Sequence, residues 1–301
     1  MSSVYSTVCP SKYFPLNLTR DRRAQMDQDL VWATLDFTVD GTSVTVSCVR
    51  RSFDAPYNPI LILHGFGSTK EDFLDISLTP SLRDVPFILY DAPGSGHSTC
   101  QDPKKLSIPF LVRVAEKILD HHQVRRFHLV GHSMGGLTAL KLAQKRTGDV
   151  ISFVNIKGNL APEDCFLSRQ ILEYPSNSPA EFMSQFIERV RRTPQFGSAL
   201  YAAALPAKVH AEAARPIFQS MVHISDNEPL LDIFEGLSCR RVFMYGEQYR
   251  SLSYLGRLSR AGIELAEIQH AGHFIMHTNP IAMWQKIAQL TTDMEATAHG
   301  H

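Results

Sequence analysis

Residues 129–136 read Leu-Val-Gly-His-Ser-Met-Gly-Gly and contain a Gly-x-Ser-x-Gly motif centred on Ser133. An apolar run precedes the motif, and a run of helix-forming residues follows it. The order of strand, tight turn and helix is typical of a nucleophile elbow. The flanking glycines have no Cβ, so the strand and the helix can pass close together while the serine takes a strained backbone conformation. The motif therefore predicts Ser133 as a nucleophile and the backbone N–H of Met134, at the helix start, as a donor to an oxyanion.

Three further short motifs lie in register with this one. They are His64–Gly67 (His-Gly-Phe-Gly), Asp91–Ser98 and Gly272–Phe274. With the serine motif, their order resembles the α/β-hydrolase superfamily over about residues 30 to 295. The resemblance implies an α/β fold: a mostly parallel, twisted sheet flanked by helices, with a helical cap insertion. It also implies that the backbone N–H of Phe66 is the second oxyanion donor, since that residue lies in the loop after an early strand.

The composition is that of an ordinary globular protein, with 44% hydrophobic and 20% charged residues among 301. Thirty basic residues balance thirty acidic ones, so no bulk field favours a nucleic acid or an anionic membrane. No pair among the five cysteines has metal-ligand spacing, and no Gly-x-Gly-x-x-Gly follows the first strands. We therefore expect no cofactor, no metal site, and no nucleic-acid or membrane partner. The oligomeric state stays unknown at this stage.

The sequence also bears on the location of the protein. The N-terminal region has no sustained apolar segment of the kind found in signal peptides, and no run approaches the length that spans a bilayer. The odd number of scattered cysteines indicates a reduced, intracellular chain. These features predict a cytoplasmic protein.

The order of predicted elements divides the chain into three segments. Residues 1–158, with an arm over 1–30, form the first part of the core, and residues 238–301 complete it. Residues 159–237 lose the alternation of strand and helix, and the resemblance implies that they form a helical cap over the active site. Apolar cap residues are the only basis for expecting a medium-sized, apolar small-molecule substrate. Residues that could line its pocket are Phe166, Ile171, Phe196, Tyr201, Phe218 and Met221.

His273 is the predicted catalytic base. A serine hydroxyl is a poor nucleophile until a base takes its proton. His273 follows the last predicted strand, and the order of serine before histidine matches the superfamily. The neighbouring His270 and His277 do not occupy the Gly-His-Phe position. An imidazole with a pKa near neutrality can accept the serine proton and pass it to a leaving group.

The sequence shows no Asp or Glu at either position expected for the catalytic acid. The superfamily places an Asp or Glu after either of two strands, where it orients the histidine. This chain has Lys157 at one position and Tyr249 at the other. The nearest substitutes in sequence are Asp164 and Glu247, with Glu163 a weaker one, although each could instead cap a helix or brace a loop.

Three functions remain open from the sequence. The leading one is a cofactor-independent serine hydrolase that cleaves an ester, lactone or thioester through an acyl-enzyme on Ser133, with His273 as base. The alternative is a non-hydrolytic catalyst (a lyase, or a condensation or cyclisation enzyme of a biosynthetic pathway) in which His273 abstracts a proton and the oxyanion hole holds an enolate. Lys157 favours this alternative, because a nearby cation stabilises anionic intermediates. The third is a ligand-binding sensor with a hydrolase-like fold.

Overall fold

The alternation of strands and helices along the chain builds one sheet. A computed structural model describes residues 29–51, 53, 57–172 and 174–299, so all but the end of the predicted arm over 1–30 lies outside the described residues. The strands of the described part are β1 (Leu30–Val39), β2 (Thr42–Arg51), β3 (Ile60–Leu63), β4 (Phe87–Tyr90), β5 (Thr99–Cys100), β6 (Phe127–His132), β7 (Val150–Ile156), β8 (Arg240–Gly246) and β9 (Glu264–Ile268).

The strand order decides where a ligand can bind. It is β1-β2-β4-β3-β6-β7-β8-β9, with β5 paired to β2. The six strands from β4 to β9 in this order run parallel, whereas β2 pairs antiparallel with β1, β4 and β5. β4 lies on one side of β3 and β6 on the other, so the order reverses at β3. In open α/β sheets ligands bind at the carboxyl ends of the strands beside such a reversal.

Asp40 and Gly41 lie between two runs rich in β-branched residues, a pattern that predicts a β-hairpin, and β1 and β2 form it. Val39 pairs with Thr42, and the two turn residues, Asp40 and Gly41, have φ of +48° and +68°. These are the positive angles of the turn that suits a two-residue hairpin. The central parallel strands are apolar and buried along their length, as strands covered on both faces must be.

Helices flank the sheet and connect its strands. Their first turns carry local start signals; for example, Ser107 accepts a hydrogen bond from the backbone N–H of Phe110 at 3.3 Å and begins the first helix. No helix of the described residues is long and apolar enough to cross a bilayer. The α-helices are α1 (Ile108–His121), α2 (Met134–Lys145), α3 (Pro179–Arg191), α4 (Ser198–Lys208), α5 (Ala211–Asn227), α6 (Leu230–Gly236), α7 (Leu255–Arg260), α8 (Ile275–Thr278) and α9 (Pro280–His299).

The segment between β7 and β8 is mainly helical in its described part and is called here the helical insertion (residues 159–237). It contains two short 3₁₀ turns and then α3 to α6. An aromatic cluster joins its helices: the rings of Phe182 and Phe186 stack at 5.8 Å, and both meet Phe218 of α5 edge-on. Such rings contribute large buried area, so the insertion has an apolar core of its own.

Candidate active site

Ser133 lies at the sharp turn between β6 and α2, with φ +53° and ψ −119°. A non-glycine residue rarely adopts this conformation, so the surroundings must enforce it. A Cβ on Gly135 would lie 2.5 Å from the carbonyl oxygen of His64, and one on Gly131 would lie 2.5 Å from the carbonyl oxygen of Gly135. Only glycine fits at either position. The strained turn predicted from the motif is confirmed.

The loop after β3 runs directly beside the serine. A Cβ on Gly65 would lie 3.0 Å from the Cβ of Ser133. The carbonyl oxygen of the next residue, Phe66, accepts a hydrogen bond from the hydroxyl of Tyr201 at 2.9 Å, which ties this loop to the helical insertion. Met134 is the first residue of α2, where backbone N–H groups have no carbonyl partner within the helix. Both residues predicted as oxyanion donors therefore lie next to the predicted nucleophile.

His273 follows β9 and reaches the serine. Its Nε2 lies 3.0 Å from the Oγ of Ser133, and the residue is only 5% exposed. Of the two histidines weighed against it, His270 is exposed and His277 lies on α8. The structure thus brings Ser133 and His273 together, as the sequence predicts.

His132 supports this histidine, and the sequence reasoning missed it. Its Nε2 donates a hydrogen bond of 2.8 Å to the backbone carbonyl of His273 and so fixes the loop against the elbow. Burial lowers the pKa of His132 to about 4, so the ring is neutral near pH 7. The signal available in the sequence was its place directly before the motif serine.

A buried ion pair lies beside the site. The side chains of Lys157 and Asp164 are each 1% exposed and contact one another. The carboxylate of Asp164 also accepts a hydrogen bond of 2.9 Å from the hydroxyl of Tyr254, and bonds of 2.8 and 3.0 Å from two backbone N–H groups at the start of the helical insertion. Asp164 is thus fully hydrogen-bonded without His273, and it neutralises a lysine whose buried charge would otherwise be costly.

The two residues at the usual acidic positions lie against each other. The ammonium of Lys157 is 4.8 Å from the centre of the Tyr249 ring, a cation–π contact, and this ring lies 6.0 Å from that of His273. Lys157 has φ +46°, a second strained position near the site. Neither residue supplies a carboxylate to the histidine.

The acid candidates do not contact His273. Its Nδ1 is buried and has no hydrogen-bond partner among the described residues. Glu247 begins the short 3₁₀ turn after β8, and Glu163 accepts hydrogen bonds from the backbone N–H and the hydroxyl of Ser253 at 3.1 and 2.8 Å. Glu163 therefore braces a loop, and within the described chain the Ser133–His273 pair stands without an acid.

The electrostatics of the site keep the imidazole neutral. The pKa of His273 lies well below its ordinary value, chiefly because the ring is buried, and further because of its neighbours His132 and Lys157. A neutral ring can accept the serine proton near pH 7. The same surroundings make its cation expensive, since no carboxylate compensates the positive charge.

A small cavity of ≈ 20 Å³, about the room of one water molecule, opens over the two residues. Four of the six residues expected to line a pocket do so, whereas Ile171 and Phe196 do not. The cavity suits an apolar group with few polar contacts. No three His, Cys, Asp or Glu side chains are grouped for a metal in the described part of the chain. Besides Ser133 and His273, the lining residues are Phe66, Asp164, Phe166, Leu167, Ser168, Tyr201, Phe218 and Met221.

Comparisons of the sequence point to one fold family. A family model described as alpha/beta hydrolase fold matches residues 58–204. A candidate carbamate hydrolase named RutD, from Pseudomonas syringae pv. syringae strain B728a, is 31% identical over 136 residues, which are 44% of this chain and 51% of that protein. The chain spans about half the length of the curated relatives it matches first.

Solved structures share the architecture along most of the chain. A variant of the N-acyl homoserine lactonase AidH, complexed with N-hexanoyl homoserine, superposes with a TM-score of 0.69 at 15% identity and covers 90% of this chain and 100% of its own. A thermophilic esterase from Thermogutta terrifontis gives a TM-score of 0.69 at 18% identity, over 87% and 99% of the two chains. Identities this low speak for the fold alone. The family model and the motifs at the carboxyl ends of β3, β6 and β9 show that the chain has the α/β-hydrolase fold.

Proposed function

We propose that the protein is a serine hydrolase that cleaves an ester, lactone or thioester of a medium-sized, mainly apolar molecule without a cofactor. The observation that carries this proposal is the 3.0 Å contact between the Nε2 of His273 and the Oγ of Ser133 at a strained elbow. The relatives support it, since their names refer to carbamate, lactone and ester hydrolysis, and each of these reactions transfers an acyl group to water.

The proposed reaction has two halves. In the first, the Oγ of Ser133 attacks the carbonyl carbon while the Nε2 of His273 takes the hydroxyl proton. The backbone N–H groups of Phe66 and Met134 stabilise the oxyanion, and His273 returns the proton to the departing alcohol or thiol. In the second, His273 takes a proton from water, which attacks the acyl-enzyme, and then returns this proton to the Oγ of Ser133 as the acid is released.

The helical insertion serves as a cap in this proposal. The hydroxyl of Tyr201 donates a hydrogen bond of 2.9 Å to the loop after β3, and the ring of Phe218 lies 4.4 Å from that of Phe66. The wall opposite the nucleophile is therefore made by the insertion, so its side chains select the substrate. Their apolar character supports an apolar acyl or alcohol group.

Slow turnover is expected, because no acid is hydrogen-bonded to His273 among the residues that the structure describes. In a serine–histidine–acid site the carboxylate orients the imidazole and stabilises the cation that forms during the reaction. Here Nδ1 of His273 has no partner among the described residues, and Lys157 adds a positive charge nearby. A serine–histidine pair with an oxyanion hole still accelerates the reaction over water, but by less.

A second candidate function rests on the same lysine. A non-hydrolytic enzyme would use His273 to take a proton beside a carbonyl and the oxyanion hole to hold the enolate, which a buried cation favours. This chemistry requires His273 but no covalent bond to Ser133. Exchange of the α-protons of a thioester into deuterated water by the Ser133→Ala variant would favour it over hydrolysis.

The test of the leading proposal is pre-steady-state hydrolysis of p-nitrophenyl butanoate. We expect a burst of nitrophenol equivalent to one acyl group per protein, followed by slow turnover, and loss of both phases in Ser133→Ala. Ser259→Ala, which changes an exposed serine on α7, is the matched control and should behave like the natural chain. Turnover that survives in Ser133→Ala would contradict the proposal.

A further inference from the structure

The polar groups in the cavity wall are nearly all accounted for. Ser133 and His273 contact each other. The hydroxyl of Tyr201 donates to a backbone carbonyl of the loop after β3. The carboxylate of Asp164 is held by Lys157 and by three further donors. None of these groups is left over to recognise a substrate, apart from the pair that reacts with it.

Ser168 is the exception in this wall besides the His273 ring, whose buried Nδ1 also has no hydrogen-bond partner among the described residues. Ser168 lies in the lining, it is 3% exposed, and its Oγ has no hydrogen-bond partner among the described residues. It begins a short 3₁₀ turn, where serine hydroxyls commonly bond to a nearby backbone carbonyl. A buried hydroxyl without a partner destabilises the folded chain, so its presence beside a nucleophile needs an explanation. A ligand that completes the hydrogen bond supplies one.

Resting on the hydrolase function proposed above, we propose that the Ser168 hydroxyl determines specificity by hydrogen-bonding a neutral polar atom of the substrate. The substrate class is then an ester, lactone or thioester that carries a hydroxyl, keto or amide group, not a plain hydrocarbon ester. A serine hydroxyl can both donate and accept but has no charge. The ionised carboxylate in the same wall, Asp164, is already neutralised by Lys157. A charged substrate group would therefore find no free counter-ion among the described wall residues.

Removal of the Ser168 hydroxyl should lower kcat/KM for polar esters but not for plain ones. With the hydroxyl removed, the polar atom of the substrate is buried without a partner, and about ten-fold in kcat/KM is lost. A plain ester loses nothing, since it never satisfied the hydroxyl. The rest of the wall is apolar, so plain esters still bind and provide the reference reaction.

The experiment compares matched esters in the natural chain and in Ser168→Ala. The acyl series is the p-nitrophenyl esters of hexanoic, 3-hydroxyhexanoic and 5-oxohexanoic acid, and the alcohol series is hexyl and 5-hydroxyhexyl butanoate. The quantity of interest is the ratio of kcat/KM for a polar ester to that for its plain partner, because differences in intrinsic reactivity cancel between the two proteins. We expect Ser168→Ala to lower this ratio about ten-fold in at least one series, while kcat/KM for the plain esters stays within about two-fold.

Ser225→Ala is the matched control. Ser225 is another buried serine of the helical insertion, but its hydroxyl accepts a hydrogen bond from Asn159 at 3.1 Å and it is not part of the cavity lining. It should leave the ratio unchanged. If Ser168→Ala lowers all esters equally or changes none, the specificity role is wrong while the hydrolase function stands. If the folded natural chain hydrolyses no ester in either series, both proposals are overturned.

Discussion

The two nitrogens of the His273 ring lie in contrasting surroundings. On the Nε2 side, the ring meets a serine held by an elbow that only glycines can build. On the Nδ1 side, the ring has no partner among the described residues, and the nearby charge is the cation of Lys157. The nucleophile depends on backbone geometry, which the local sequence enforces. An acid would be a single side chain, and Lys157 lies at one of the positions where we expected it, beside an intact elbow.

Lys157 has a structural role through its ion pair with Asp164. Asp164 accepts from Lys157 at the end of β7 and from two backbone N–H groups at the start of the helical insertion, so the pair fastens the insertion to the sheet. Removing one partner of a buried pair typically costs about 3–5 kcal/mol of folding free energy. Lys157, at a position where we expected an acid, therefore stabilises the fold.

The largest expected effect is on the Nε2 side. His273→Ala should lower kcat for p-nitrophenyl butanoate about 10³-fold, because the serine loses its base, while the melting temperature changes little. His270→Asn, an exposed position with φ +56° that asparagine tolerates, is the control. Equal losses of kcat in the two variants would show that His273 has no special role on the Nε2 side.

Restoring a carboxylate on the Nδ1 side should give the next largest effect. We expect the double variant Lys157→Glu with Asp164→Asn to raise kcat about ten-fold or more, since the glutamate can orient the ring and compensate its cation. The second change is needed because Lys157→Glu alone would bury two carboxylates together and unfold the chain at lower temperature. Lys157→Met with Asp164→Asn, which removes both charges, separates the loss of the cation from the gain of the acid. A double variant with glutamate that is no faster than this one would refute the acid account.

The sequence predicts the surroundings of the His273 Nε2 better than those of its Nδ1, and the reason is physical. Runs of apolar residues and glycine turns act locally, so the hairpin, the central strands and the elbow were predicted correctly. Strand β5 was missed, since two residues, Thr99 and Cys100, are too few to show a pattern. Asp164 pairs with Lys157 and also with Tyr254, 90 positions further along the chain, and only the fold reveals this network. The unpaired hydroxyl of Ser168 is likewise invisible in the sequence.

The pH dependence of activity tests the electrostatics around the ring. Protonated His273 cannot act as a base, and its lowered pKa keeps it neutral, so the acid limb of kcat/KM should lie well below the ordinary value of 6.5. Lys157→Met with Asp164→Asn removes the cation that lowers the pKa of His273 together with the carboxylate paired to it, and should move this limb upward, toward 6.5. The profile is measured on p-nitrophenyl butanoate, with Lys145→Met at an exposed position as control. A limb that moves downward in the double variant would show that Lys157 does not depress the pKa of His273.

The smallest expected effect on kcat comes from loosening the loop after β3, which carries the proposed oxyanion donor Phe66. Tyr201→Phe removes the hydroxyl that donates to the carbonyl of Phe66 at 2.9 Å. We expect about 1 kcal/mol less stability in urea unfolding and a few-fold lower kcat, because the loop that places one oxyanion donor is held less firmly. Tyr174→Phe, in the helical insertion but outside the cavity lining, should change neither. An unchanged kcat in Tyr201→Phe would show that this hydrogen bond does not contribute to catalysis.

We propose that Ser133 is an activated nucleophile although no acid is hydrogen-bonded to His273 in the described part of the chain. This claim is tested most directly by reaction of the folded protein with a fluorophosphonate, followed by mass mapping of the labelled peptide. We predict one adduct, on Ser133, that forms faster than in His273→Ala and is absent from Ser133→Ala. A folded natural chain that takes up no label, or carries it on another residue, would contradict the claim.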